Sequence, residues 1–580
     1  MSPIKRIVMS AAVGAMPVLS LGCFTTLAIY SGNTAEFSMS FIDLLRFYLP
    51  YLLAAVGVCG LAGATLPATA LLRYHSILAA LAVLIWLQGN ILVWDYGVLD
   101  GREIDWLAGA WRGVLDLAIW IAVLGVAAFA YKRVGKLLVT AATAAVAIQL
   151  VGAVFTVSGR PDASTSRPDI QASEESRAAI AQFSSQKNVL HIVMDGFQTD
   201  IFEAIVADPA SRITDQDLRG FTLFRNHVGL YPYTQLTVPA ILTGKQYRNQ
   251  IPVADFIERA LAGETILSAA AMHGYEVDIA VPRFLMSSYA QTRYTHAFAT
   301  VSNEHVSDAD YVRTDAARLL DLALFRVVPH FAKALVHRDE LWVFQALAQP
   351  EAYLQMKYFS DLKFLENVAD TMSIDREAPV YKLMHVMLSH QPTVGSERCE
   401  YDGRHSTNRT TVTNQARCGL WQVLRILRQM QELGIYDDSL IVLMADHGAW
   451  VPIEPAEGFA GSDASPLTAA MALPVLAIKP PNAGAAYSVS EAPTMITDVA
   501  ATIAAMSGLN GQFPGESAFE IDPDRIRQRQ HLSYGYGINP ESEGYLFPMQ
   551  EYEISGSPYD GAAWKKGQRY LPGGAIDVHE

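Results

Sequence analysis

The sequence predicts an α/β fold, a mostly parallel sheet flanked by helices, preceded by an all-α domain of five membrane spans. Three observations carry that expectation. Two apolar, β-branched runs, 188–197 (NVLHIVMDGF) and 439–448 (SLIVLMADHG), each end abruptly in acid: Asp195 in one, Asp446 with His447 in the other. Short apolar runs closed by Gly read as buried parallel strands. Between them, strand-like runs alternate with helical periods, the rhythm of a parallel sheet covered on both faces. Before residue 158, five apolar stretches are each long enough to cross a bilayer, which takes roughly 17–25 helical residues.

Taken in chain order, the five stretches lie near 7–30, 47–72, 76–94, 114–131 and 137–157. Lys5, Arg6, Arg73, Lys132, Arg133 and Lys136 occupy alternate loops with no acid among them, whereas the opposite loops hold Arg46, Arg102 and Arg112. The positive-inside rule then places the N-terminus in the cytoplasm and everything after residue 158 outside it, in an extracytoplasmic (periplasmic) compartment. A cleavable signal peptide at 1–30 is the rival reading, disfavoured by four further spans. Cys23 and Cys59 fall inside spans and read as packing residues. Cys399 and Cys418 fall in the exported part, where a disulfide is permitted. A metal role for this pair lacks a CxxC or a nearby His.

Residues 159–187 are polar, Pro- and Ser-containing, and read as a linker. A domain is expected over 188–515. Within it, 267–274 reads as a helix end and 275–281 (YEVDIAV) as a strand. The run 380–388 is another strand, ending at Ser389, His390, Gln391 and Pro392. Apolar residues at 420, 423, 424, 427 and 430 give a helix over 414–433, stopped by Gly434, before strand 440–444. Residues 285–375 look helical and are expected to form an insertion shaping substrate access. Residues 516–580, rich in Gly, Tyr and Pro, read as a C-terminal extension packed on the domain, with no chemistry attached.

Residues 161–580 hold 33 basic and 51 acidic residues, a balance of −18. So acidic a surface argues against nucleic-acid binding, which needs Lys and Arg on phosphates.

Open α/β sheets bind ligands beyond the carboxyl ends of their strands. Asp195 sits at such an end; its bland alternative is a helix cap. Asp446 and His447 pair a hard oxygen with a borderline nitrogen, suited to Zn²⁺ or Mn²⁺. Thr234, in 234–244 (TQLTVPAILTG), is the candidate nucleophile, needing a base or a metal to become one. Thr234 and Thr237 also fit as helix caps, and a nucleophile at a helix N-terminus would gain from the dipole. His390 and His227 flank the candidate loops; each alone reads more readily as a satisfied surface histidine. His191 and His385 lie inside strands and read as buried packing residues. His405 sits in a polar loop.

Together, HIVMDG, then T-x-x-T-V-P-x-x-x-T-G, then a strand ending in D-H-G, resemble the sulfatase-like branch of the alkaline phosphatase superfamily. Within it the chain is similar to the membrane-anchored phosphoethanolamine and phosphoglycerol transferases and the lipoteichoic acid synthases, which share five N-terminal spans. The resemblance implies Asp195, Thr234, Asp446 and His447 as ligands of one divalent metal, Zn²⁺ or Mn²⁺ ahead of Mg²⁺ or Ca²⁺, with a second metal left open. It implies Thr234 as nucleophile, nine residues before Thr243 and Gly244, with Thr237 as the adjacent fallback. His390 would contact the substrate phosphate or assist the leaving group, and His227 and Thr237 would line the substrate site. The run 473–480 and the segment 492–509 resemble the family's closing strand and helix. Two departures stand out. No cysteine is followed by the x-Pro-x-Arg pattern of formylglycine sulfatases, and Asp195 stands where several of the transferases carry Glu. The implied activity is transfer of a phospholipid head group to an envelope glycan through phospho-Thr234; a hydrolase of sulfate or phosphate esters at the same site is the alternative.

Overall fold

The computed structural model describes residues 2–577 apart from 35–36, 38, 95, 97–98, 100–103, 105, 108, 159–173, 215, 283–284, 286–288, 290–291, 301–307, 339–340, 349–350, 404 and 540–541. The chain divides into two compact units, residues 1–168 with 303–354, and residues 169–302 with 355–580.

Among the described residues of the first unit, five helices are long and apolar enough to cross a membrane: Pro3–Gly32, Phe41–Thr65, Ala68–Asn90, Ala110–Phe129 and Tyr131–Val157. The second and third differ from the expected bounds. Pro67 disfavours helical backbone at the residue before it, Leu66 is extended, and the helix ends at Thr65 instead of running on to 72. Leu53, Val58, Leu61, Phe129, Phe155 and Val157 point outward and stay exposed, an apolar surface that water would penalise.

The region 285–375 does not form one insertion over the sheet domain. Helices Asp308–Val327, His330–His337 and Val343–Ala348 belong to the unit of apolar helices. Ala316, Leu319 and Ala323 bury themselves with Ile29, Tyr30, Leu44 and Tyr48. Polar needs add to the attachment. The buried Asp116 carboxylate, on an apolar helix, accepts from Gln88 Nε2 (3.1 Å), Trp94 Nε1 (3.1 Å) and the His330 backbone N–H (3.0 Å). A buried charge without such donors would be costly, so the helix pair is held by both packing and hydrogen bonds.

The second unit is built on an eight-stranded sheet. Its strands are β1 (Asn188–Met194), β2 (Thr222–Phe224), β3 (Glu276–Val281), β4 (His296–Ala299), β5 (Val380–Val386), β6 (Leu440–Met444), β7 (Leu476–Lys479) and β8 (Ser488–Ser490). Their spatial order is β8-β2-β7-β6-β1-β5-β3-β4. The run from β6 to β4 is parallel, as expected; β7 is antiparallel to both its neighbours. Strands β1, β5 and β6 are buried along their whole length, which explains why they read as continuous apolar runs. Side chains alternate between two cores. Val189 and Val193 pack with the helix Thr234–Thr243 on one face, and Leu190, Ile192 and Met194 with the helix Arg409–Glu432 on the other. That last helix starts five residues before the expected bound because Asn408 and Thr411 form a reciprocal capping box.

The linker expectation meets structure at its end: Glu174–Ala181 is a helix, and Gln182–Ser184 pairs with Ser373–Arg376. Residues 159–173 lie outside the described ones. The C-terminal segment forms a separate antiparallel sheet, β9 (Gln528–Ser533), β10 (Met549–Ser555), β11 (Trp564–Tyr570) and β12 (Ile576–Asp577). Cys399 and Cys418 form a disulfide.

Candidate active site

Parallel pairing brings the carboxyl ends of β1, β5 and β6 to one level: Val193 lies opposite His385 on one side and Met444 on the other. The chain therefore delivers Asp195, His385, Asp446 and His447 to one place from sequence positions 250 residues apart. Gly196, at φ 71°, turns the backbone away directly after Asp195, a conformation that Gly adopts without strain, and its N–H donates to Asp446 Oδ1 (3.2 Å). Thr234 is the first residue of the helix Thr234–Thr243, with Tyr233 as its cap. Its hydroxyl lies 3.2 Å from Asp195 Oδ2 and 3.5 Å from His447 Nε2.

The atoms around His447 Nε2 are short of donors. His447 Nδ1 is 2.9 Å from the Gly448 carbonyl, so it carries the proton and leaves Nε2 as a lone pair. Asp195 Oδ1 stands 3.4 Å from that nitrogen and Asp446 Oδ2 3.5 Å. Both carboxylate oxygens are buried without a hydrogen-bond partner. Lone pairs converging with no proton between them are repulsive unless a cation joins them. This donor set of two carboxylate oxygens, an imidazole nitrogen and a hydroxyl fits one divalent metal, with Zn²⁺ or Mn²⁺ matching the mixed oxygen and nitrogen ligands.

Burial and neighbouring charges oppose one another here. Burial would raise the Asp195 carboxyl, but His390, His385 and His447 together hold it well below the usual range. Burial would lower the His447 and His385 imidazoles; the Asp446 and Asp195 carboxylates reverse this and raise both.

Two histidines complete the cluster. His390, on the loop leaving β5, has Nε2 3.8 Å from Asp195 Oδ1 and is the most open member. Its backbone carbonyl accepts from Gln415 Nε2 (2.7 Å), and Ser389 Oγ donates to the Asp195 carbonyl (2.6 Å). His385 departs from the packing role that its strand position suggests. Its Nε2 donates to Asp195 Oδ2 (3.1 Å) while the Tyr289 hydroxyl meets its Nδ1 (3.0 Å). The available signal is an imidazole near the end of an otherwise apolar strand; that β5 adjoins β1 is not legible in the sequence. His191 does pack, bonded to Tyr381 and Met444 in the sheet.

Two expected substrate contacts are not brought to the cluster. Thr237 is fully buried and donates its hydroxyl to the Tyr233 carbonyl (2.9 Å), one helical turn back. His227 is also fully buried, with Nδ1 on Thr494 Oγ1 (3.0 Å). Burial, reinforced by Arg529 and Arg527, pushes it down to about 3, so it stays neutral.

The C-terminal segment contributes what its sequence does not reveal. His531, on β9, is fully buried, with Nδ1 on the Gly229 carbonyl (2.8 Å). Tyr534 and Tyr536 meet the ring of Tyr233 at 5.2 and 5.1 Å, and Trp450 meets it at 5.4 Å. An aromatic wall thus abuts the residue preceding Thr234.

A mostly parallel α/β sheet with a metal-suited cluster at the carboxyl ends of its strands belongs with the alkaline phosphatase and sulfatase superfamily of enzymes. The family model described as Sulfatase matches residues 187–509, and the chain belongs to that family. No curated protein sequence matches the chain significantly. Similar solved structures include the phosphonate monoester hydrolase SpPMH from Silicibacter pomeroyi (15% identity, covering 68% of this chain and 90% of that one, TM-score 0.39). The lipoteichoic acid synthase LtaP from Listeria monocytogenes is another (11% identity, 70% and 92% covered, TM-score 0.37). The C-terminal periplasmic domain of EcEptC from Escherichia coli is a third (13% identity, 63% and 93% covered, TM-score 0.35). At these identities the likeness says nothing of a shared substrate.

Proposed function

We propose that this chain is a membrane-anchored transferase, moving a phosphoethanolamine- or phosphoglycerol-type head group from a phospholipid to an extracytoplasmic glycan through phospho-Thr234. The observation that carries the reading is a threonine hydroxyl, at a helix N-terminus, within reach of the buried Asp195 carboxylate and the buried His447 imidazole. The absence of a Cys-x-Pro-x-Arg motif and the five apolar helices support a lipid phosphodiester over a sulfate ester. Asp195, Asp446, His447 and Thr234 would hold the metal. Bound there, a divalent ion would favour the threonine alkoxide and polarise a phosphoryl oxygen.

The side chains do the rest. Asp195 Oδ2 accepts the Thr234 hydrogen bond and takes the proton only as Oγ1 attacks, returning it when Thr234 is displaced. Thr234 Oγ1 forms a bond to phosphorus as the bond to the diacylglycerol oxygen breaks. His390 Nε2, at the open side, gives that oxygen its proton and later takes one from the acceptor hydroxyl, which displaces Thr234. The helix N-terminus that Thr234 opens favours the phosphoryl charge. Attachment of the sheet domain to a membrane anchor replaces a diffusional search for a lipid donor.

The test uses the full chain in nanodiscs containing labelled phosphatidylethanolamine and phosphatidylglycerol. Intact-mass analysis is expected to find a head-group adduct that maps to Thr234 and is absent in T234A. Diacylglycerol release should require a glycan acceptor. Release at full rate without any acceptor would instead establish the ester-hydrolase reading that membership of the sulfatase family favours.

A further inference from the structure

His390 stands at the open side of the cluster, its side chain 23% exposed, and its place is set from behind, through its backbone. It lies on the segment that joins β5 to the helix Arg409–Glu432, and one face of that helix grips the segment at three points. Gly419 sits directly against Leu388: a Cβ there would lie 2.9 Å from Leu388 Cβ. Cys418 is joined to Cys399 by the disulfide. Gln415, one turn earlier on the same face, reaches His390 itself.

Gln415 is buried, and both ends of its amide are committed. Nε2 donates to the His390 carbonyl (2.7 Å) and lies 3.4 Å from the Pro392 carbonyl, while Oε1 accepts the Val394 N–H (2.9 Å). One side chain thus spans residues 390–394. Only a group with a donor at one end and an acceptor at the other serves both. A carboxylate would deprive the His390 carbonyl of its donor, and an aliphatic side chain would leave both backbone groups unpaired. The residues before His390 are pinned as well: Asp361 Oδ2 accepts the Met387 N–H (2.6 Å), and Ser389 Oγ donates to the Asp195 carbonyl (2.6 Å). His390 Nδ1 meets the Gln391 carbonyl, so it carries a proton, and Nε2 is the nitrogen turned toward Asp195 Oδ1 (3.8 Å). Releasing the backbone would let Nε2 drift, and a misplacement of about 1 Å can cost roughly 100-fold in rate.

We propose that Gln415 is a positioning residue for the reaction: its amide holds the His390 backbone so that Nε2 delivers its proton to the leaving oxygen as the bond from that oxygen to phosphorus breaks. Gln415 touches no reacting atom. The proposal rests on the role given to His390 above, a role that an ester hydrolase at the same site would share.

The test turns on leaving-group strength, in the full chain in nanodiscs. Phosphatidylethanolamine and phosphatidylglycerol must shed an alkoxide that needs a proton, whereas bis(p-nitrophenyl) phosphate sheds a stabilised phenolate that does not. In Q415A, formation of the Thr234 adduct from lipid is expected to slow about 10- to 100-fold, part of the roughly 10²–10⁴-fold that general acid catalysis supplies. Its rate with the nitrophenyl ester should fall much less, by about threefold at most, because that ester needs no general acid. Q415E keeps an acceptor for Val394 but loses the donor to His390, and should show the same selectivity. In an H390A background, Q415A should slow the lipid reaction no further, since the two residues act as one unit. A merely structural defect would slow both esters alike and persist without His390. Equal slowing of both esters in both variants, an undiminished effect in H390A, or no slowing at all overturns the proposal. If the wild type forms no Thr234 adduct, the phospho-threonine reading fails separately. The same comparison, made on released diacylglycerol and nitrophenol, then decides Gln415 by itself. A wild type inert toward both esters overturns both.

Discussion

His385 shows how one hydrogen bond separates a packing residue from a working one. It touches no substrate position, yet its Nε2 orients Asp195 from behind (3.1 Å) and Tyr289 holds its other nitrogen. Partners of metal ligands tune affinity about 10- to 100-fold. H385Q is therefore expected to lower retention of Zn²⁺ or Mn²⁺ against a chelator series by that order, measured by elemental analysis, with T237A unchanged as the control. Metal retention equal to wild type would refute the positioning role. His227 gives a pH prediction of definite sign. Its folded pKa is about 3, below the ordinary value near 6.5. Above pH 6.5 both states are neutral and the stability contribution is whole. As pH falls from about 6.5 toward 3, the unfolded chain takes up a proton that the folded one refuses, and the contribution is lost at about 1.4 kcal/mol per pH unit. H227N, which keeps a polar group toward Thr494, should flatten the fall of Tm between about pH 6.5 and 4 relative to wild type. Parallel slopes would count against it. At this scale the sequence exposed Asp195, Asp446, His447 and Thr234, because each sits at a strand or helix end that local pattern reveals. It could not separate His385 from His191, two imidazoles inside buried strands, since only the neighbouring strand distinguishes them.

Elements behaved as their patterns required where one feature dominated. Strand β6 carries the bounds read from its apolar run, and β1 ends where Asp195 begins. Gly448 follows His447 just after β6, and close approach is what requires it. A Cβ there would lie 1.8 Å from the Ala470 carbonyl oxygen, and the Gly448 N–H bonds to Met471 (2.9 Å). Overpacking of this kind costs on the order of 1–3 kcal/mol or more. G448A should lower the Tm of the sheet domain in calorimetry and displace His447 with it; a Tm equal to wild type would show that the segment 466–472 yields freely. The antiparallel strand β7 was not legible as such, because a fully buried four-residue run has no directional signature. The C-terminal sheet was likewise missed. Its strands mix buried residues with half-buried and exposed ones, a weaker signal than an apolar run, in a segment dense with turn residues.

For the whole molecule, the chain leaves the sheet domain at 302 and returns at 355, so helices within 303–354 fold with the apolar helices of the first unit. A truncated chain starting at residue 174 would strip those helices of the partners that cover Ala316, Leu319 and Ala323. It should aggregate or bind a hydrophobic dye, whereas the same truncation with 303–354 replaced by a short polar linker should be monomeric in size-exclusion chromatography. Equal behaviour of the two would refute the assignment. The sequence by itself determined the two-part plan, the parallel core of the sheet and the chemical character of the site. All three are local: span length, strand burial and the residue that ends a strand are set by neighbours in the chain. Tertiary structure alone decided which strands adjoin, that His385 joins the site while His227 and Thr237 stay outside it, and that the C-terminal segment sets Tyr534 and Tyr536 against Tyr233 and His531 against Gly229. Those outcomes depend on contacts between residues hundreds of positions apart, where chain order no longer constrains which side chains meet.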